Sequence, residues 1–252
     1  RDALAKPLTS LGHTRPAMAG VAVVTLGQDG SQRAVEWAVS TTGSPHAFVL
    51  GIPGQGKSVT TRKILRDFHA SGLPALVFDF HGDMAANPPP GAEVLDASEG
   101  LPFSPFEVPV ASQNPGSQTS WEVAEIVAMV AGLGDIQRNA TYEALLKSYE
   151  ELGWKGRERG NQLPSLADLV RNLEEAESNG RAKNVRARLR PLTDFGLFRD
   201  QDTERFDPAS GAGVVVDLSR LGLEEVQLAA GAFLLRKVYN DMFTWPQGQG
   251  MR

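Results

Sequence analysis

The chain has 252 residues, 41% of them hydrophobic and 22% charged, with a formal net charge of −5. That length buries a sizeable core, as one large α/β domain or as a domain with a subdomain. The charge excludes a protein coated all over in basic residues, although a local stripe of Lys and Arg would suffice for nucleic acid. There is no cysteine, which excludes disulfides and thiolate metal sites, and His13, His46, His69 and His81 lack ligand-like spacing.

A reducing, cytoplasmic setting follows from this composition. The longest apolar stretches, Val21 to Leu26 and Ala75 to Phe80, fall well short of the roughly 20 residues that span a bilayer, so no membrane segment is expected. The chain opens on Arg1 without a charged-then-apolar leader, and so reads as a piece of a longer polypeptide.

In chain order, "VAVVTLG" (21–27) and "AVEWAVS" (34–40) flank a polar turn and predict a β-hairpin. "HAFVLG" (46–51) predicts a buried strand. Lys57 to Ser71 predicts a helix with Val59, Ile64, Leu65 and Phe68 on its inner side, stopped by "SGLP". "ALVFDF" (75–80) predicts a parallel strand covered on both faces. Strand, loop, helix and strand in this order make a βαβ unit.

"AEVLD" (92–96) predicts a short strand, after which helix patterns dominate to about Arg190. A capping box of Thr119 and Glu122 is expected to open one helix, ended by Gly132 to Gly134. Further helices are expected over Ile136 to Leu152, from the Ser165/Asp168 cap, and from Arg181 to Pro191. "GVVVDLS" (213–219) returns to a strand. A long helix then buries Leu223, Val226, Ala230, Phe233, Leu234 and Val238. The expected architecture is therefore α/β. Residues 1–45 form an N-terminal segment with a hairpin, 46–110 and 210–252 a core with a mostly parallel sheet, and 111–209 an all-helical insertion.

The chemistry sits at Gly51-Ile52-Pro53-Gly54-Gln55-Gly56-Lys57-Ser58, which matches G-x-x-x-x-G-K-[ST] at every fixed position. Glycines let the backbone wrap so that its N–H groups point at a β-phosphate, and a helix starting at Lys57 adds its positive end. Lys57 is the candidate catalytic cation for the β- and γ-phosphates, Ser58 the Mg²⁺ ligand, and Gly51 through Val59 the nucleotide-binding stretch. The plainer reading is a Gly-rich strand-to-helix turn. A GTPase base-reading motif and an ABC-type signature are both missing from the sequence.

Other candidates compete with ordinary structural roles. Asp79 and Asp217 each end an apolar strand, where metals and ligands sit in open parallel sheets. Asp79 is the candidate second metal ligand, against a loop-organising or helix-capping aspartate. His81 lies near where a γ-phosphate or a partner subunit would come, against a turn-forming histidine. "RAKNVRARLR" (181–190) carries five cations and no acid. It reads as a phosphate-contacting edge, as trans-acting arginine fingers, or as a solvated helix balanced by Glu174, Glu175 and Glu177. "WKGRERG" (154–160) is a weaker basic signal.

"VTLGQDGSQRAVEWAVSTTGSPHAFVLGIPGQGKS", "LVFDFHGDM" and "GVVVDLSRLGLEEVQLAAGAFLLRKVYNDM" together resemble the HerA/FtsK superfamily of DNA-pumping ATPases, in particular the HerA-like group also called DUF87. The resemblance covers about residues 20–110 and 210–243, and implies a RecA-like P-loop core. It further implies ATP and Mg²⁺, DNA as partner, a homo-oligomeric, hexameric ring, and a nuclease or defence-effector partner. Where HerA proteins often carry a γ-phosphate-sensing arginine before the strand histidine, this chain has Pro45 before His46. The family's Walker B strand is expected after 244–252, where the sequence stops, so ATP hydrolysis by this chain alone is expected to be weak. The alternative keeps the nucleotide but not the motor: an ATP-dependent switch or assembly module of a defence or secretion complex. A small-molecule phosphotransferase finds no recognisable acceptor site.

Overall fold

A computed structural model describes residues 22–39, 46–180, 183–199, 206–207 and 213–244. Pro45, Arg181 and the Gly/Pro-rich stretch 245–252, singled out in the sequence, lie outside the described residues.

β1 (Ala22–Gln28) and β2 (Ala34–Val39) form the expected antiparallel hairpin, with a register shift between Thr25 and Gly27. Its turn is held by Asp29, whose carboxylate accepts from the Ser31 and Arg33 N–H groups at 2.8 and 2.9 Å. One face of the hairpin, Ala22, Val24 and Val39, packs with Leu73 and with Ile64 and Phe68 of α1 (Lys57–Ala70). Trp37 meets Phe68 with ring centroids 6.2 Å apart. Asp67 of α1 accepts from the Thr25 N–H at 3.1 Å and from Lys63 at 2.9 Å, while Lys63 also donates to the Thr25 carbonyl. The Lys63 hydrogen bond, working against desolvation, holds the Asp67 carboxyl below the usual range.

β3 (Ala75–Asp79), β4 (Glu93–Asp96) and β5 (Gly213–Asp217) form a parallel sheet in the order β3-β5-β4. β5 is buried along its whole length, as a β-branched central strand should be. Gly213 at its start has φ +113°, and a Cβ there would lie 2.0 Å from the Ala75 carbonyl oxygen. The close approach of β3 therefore requires glycine at this position.

Two strand expectations are corrected. Residues 46–50 have no ladder pairing, and Phe48 and Leu50 are 89% and 86% exposed. β3 is half-buried rather than covered on both faces, and among the described strands it pairs only with β5. An apolar run reports a tendency to be buried but carries no information about which strand will lie beside it.

Among the described residues, four α-helices lie between β4 and β5. α2 (Pro115–Ala131) starts four residues before the Thr119 expected as its cap. Pro115 takes the first helical position, where its missing N–H costs nothing, and Thr119 is buried inside the helix. Gly132 ends it in the left-handed conformation. α3 (Asp135–Glu151) and α4 (Leu166–Ser178) fall where expected, the latter with the Ser165/Asp168 capping box in place. α5 (Val185–Asp194) runs through Pro191 instead of stopping there, held by burial of Val185, Leu189 and Leu192. α6 (Glu224–Met242) buries Val226, Ala229, Ala230, Phe233 and Leu234. Leu223, expected on that side, is the N-cap and is 38% exposed.

The helices and the sheet share one core, with Leu145, Tyr149, Leu173, Val214, Val216 and Phe233 in a single cluster. Arg236 of α6 crosses it, donating to Glu122 of α2 at 2.8 Å and to the Pro105 and Glu107 carbonyls. The hairpin and α1 form a second, separate cluster.

Candidate functional site

The phosphate-loop motif forms the turn into α1. Gly54 and Gly56 hold φ +83° and +80°, and the Gln55 N–H returns to the Ile52 carbonyl at 3.3 Å. Gly56 is the N-cap of α1, so no side chain caps the helix, and its first turn carries no acid. The first N–H groups of a helix have no intrahelical acceptor, and here no side chain supplies one. The result is a cluster of open donors at the positive end of a 14-residue helix, the arrangement that receives a phosphate. Lys57 lies back along the loop, donating to the Ile52 carbonyl at 3.1 Å. Val59, expected on the inner side of α1, is 64% exposed.

The loop between β3 and β4 reaches the same place. Asp79 is buried, and its two oxygens accept four backbone N–H groups. Oδ1 takes His81 and Gly82 at 3.3 and 3.0 Å, and Oδ2 takes Met84 and Ala85 at 2.8 Å each. This carboxylate organises its own loop, with both oxygens directed at it, so the metal-ligand position expected of Asp79 is not where the geometry puts it. The acid that reaches the phosphate loop is Asp83, whose Oδ2 accepts from the Ser58 hydroxyl at 3.0 Å. Arg62, one turn further along α1, donates to the Asp83 carbonyl at 3.0 Å. The "HGD" that follows the strand aspartate was the available signal; only the fold of 79–85 shows which acid turns outward. His81 contributes its backbone N–H to that fold and exposes its side chain.

Asp217 repeats the pattern on β5. Its carboxylate accepts from the Ser219 N–H and hydroxyl at 3.0 and 2.6 Å, and Arg220 lies 3.5 Å away. Arg220 also bridges to Asp96 at 3.0 Å. Asp96 in turn accepts from the Ser98 hydroxyl and N–H; that hydroxyl hydrogen bond, against desolvation, keeps its carboxyl below the usual range. Asp79, Asp217 and Asp96 stand in register across the three strands.

Two cations of the basic run, Arg186 and Arg188, are engaged within the protein. Arg186 pairs with Glu174 and Glu177 at 3.0 and 2.9 Å, and Arg188 donates to the Ala131 and Gly132 carbonyls at the end of α2. Arg157 and Arg159 of the second basic stretch bond Gln113 and the carbonyls of Pro109 and Val110. Among the described residues no group of His, Asp and Glu forms a ready metal cluster, and no helix is long and apolar enough to cross a membrane. Ser58 and Asp83 do bring together a hydroxyl and a carboxylate, the oxygen ligands that a hard divalent cation takes, so the residues present fit Mg²⁺.

A parallel α/β sheet with this loop at a helix N-terminus defines a P-loop nucleotide-binding protein with a RecA-like core. Residues 30–238 match the family model described as "DUF87: Helicase HerA, central domain", and the chain belongs to that family of P-loop ATPases, which implies a nucleotide and, typically, Mg²⁺. The fold is also that of VirB4 of Thermoanaerobacter pseudethanolicus, at a TM-score of 0.68 and 19% identity over 88% of this chain. The chain spans 64% of that VirB4 chain. A search of curated proteins finds no match.

Proposed function

We propose that this chain is the ATP-binding and ATP-hydrolysing core of a HerA/FtsK-like DNA translocase or helicase, working in the cytoplasm as a homo-oligomeric, hexameric ring. DNA processing or bacterial defence is the setting, with a nuclease or defence effector as partner. Residues 46–110 and 210–252 are the core, 111–209 an insertion and 1–45 an N-terminal segment. The observation that carries the reading is the uncapped N-terminus of α1 behind Gly54 and Gly56, in a chain whose family is named for a helicase.

The backbone from Gly51 to Val59 cradles the triphosphate, and Lys57 leaves the Ile52 carbonyl to reach the β- and γ-phosphates. Ser58 offers its hydroxyl to Mg²⁺, which, when bound, neutralises charge on the transferring phosphoryl group. Asp79 and Asp217 already serve backbone and serine donors, so neither is placed as the base that orients water. Slow turnover by this chain alone is the expectation, to be measured as below.

The experiment measures nucleotide affinity, ATP turnover with and without duplex DNA, and DNA binding across salt concentrations. Lys57→Ala should weaken ATP binding by about tenfold to a hundredfold, the worth of a lost charge-assisted hydrogen bond. DNA-stimulated turnover together with salt-sensitive DNA binding supports the motor. Nucleotide-dependent oligomerisation with neither would replace it with a switch or assembly module.

A further inference from the structure

The hairpin and α1 make one hydrophobic cluster and the sheet with its helices another. Polar contacts join them beside the phosphate loop, and they converge on Asp83. Its carboxylate accepts from Ser58 and its carbonyl from Arg62, both at 3.0 Å. The loop that presents Asp83 is fixed from behind. Asp79 gathers four of its N–H groups, and Gly82 sits at φ +78° so close to Ser219 that a Cβ would lie 2.8 Å from that hydroxyl.

A serine hydroxyl has one proton and two lone pairs. When Asp83 accepts the hydroxyl's hydrogen bond, the lone pairs of Ser58 are left for another partner, and a nearby negative charge makes the oxygen a better donor to a cation. Mutating a group that holds a ligating side chain in this way typically costs about 10- to 100-fold in metal affinity.

We propose that Asp83 is the positioning residue on the metal side of the phosphate loop: it orients Ser58 toward the Mg²⁺ of a Mg²⁺–nucleoside triphosphate. Asp79 holds the loop that places Asp83. The carboxylate on the metal side is thus supplied by the loop after β3, from a different part of the chain than the motif it serves. This rests on the P-loop ATPase reading above.

The test titrates a fluorescent ATP analogue into the full chain, once with Mg²⁺ and once with EDTA. Asp83→Asn should lose about tenfold or more of the affinity measured with Mg²⁺, while affinity in EDTA stays within about twofold. Ser58→Ala should show the same selective loss, and adding Asp83→Asn to it should cost little more, because the two act as one unit. Thermal melts of each variant show that the fold is kept.

Wild-type affinity for Asp83→Asn in Mg²⁺, an equal loss in both titrations, or simple additivity with Ser58→Ala would each overturn the assignment of Asp83 and leave the nucleotide site standing. Failure of the wild-type chain to bind the analogue under either condition would overturn the ATPase reading itself, and this inference with it.

Discussion

At the scale of single residues, the site depends on backbone conformations and on which acceptor each donor finds. A Cβ on Gly56 would meet nothing within 4 Å, yet the residue sits at φ +80°. Space is available there; the left-handed conformation is what disfavours other residues. Gly56→Ala should cost roughly 1 kcal/mol, read as a lower urea midpoint at unchanged slope, and should also weaken ATP binding. The aspartates divide in a related way. Asp79 and Asp217 end apolar strands and look alike in the sequence, and both prove to be organisers of their own turns. The pattern of residue types marked the strand ends but not the direction in which each carboxylate turns. That direction is set by backbone N–H groups two to six residues further on, which is why Asp83 emerged only from the folded loop.

Helices and strands show where local chemistry suffices. α4 begins where its capping box predicts. The Asp168 carboxylate accepts from the Ser165 N–H and hydroxyl at 2.9 and 2.6 Å, and Arg171 reaches its other oxygen at 2.7 Å. The Ser165 hydroxyl, against desolvation, holds the Asp168 carboxyl below its ordinary value. A lowered folded-state pKa contributes stability above the unfolded value of about 3.9, and that stability is lost as pH falls through the folded pKa. Asp168→Asn should therefore cost about 1 kcal/mol near pH 7, with the gap to wild type closing as melts are taken below about pH 4. The hairpin, α3 and β5 were equally legible, since turn residues, caps and β-branched runs act within a few residues. The start of α2 was misplaced because Asn114-Pro115 is a helix opening as well as a turn. The apolar content of residues 46–50 predicts a strand, but pairing is a long-range property, and these residues pair with no described strand.

For the molecule as a whole, among the described residues β3 has a strand partner on one side only, and Phe48, Leu50 and, on α6, Leu228, Leu235, Tyr239 and Met242 are exposed. The large core packs α2 to α6 with β4 and β5. The two hydrophobic clusters also divide the molecule in time. A small cluster with partly exposed members opens more often than a large one. Amide hydrogen exchange should therefore proceed faster in β1, β2 and α1 than in β5 and the buried half of α6. Protection acquired by α1 on adding Mg²⁺ and ATP should extend to the hairpin, because Lys63 and Asp67 fasten Thr25 to the helix that begins at the phosphate loop. The hairpin would then report nucleotide occupancy from a site that the nucleotide does not touch.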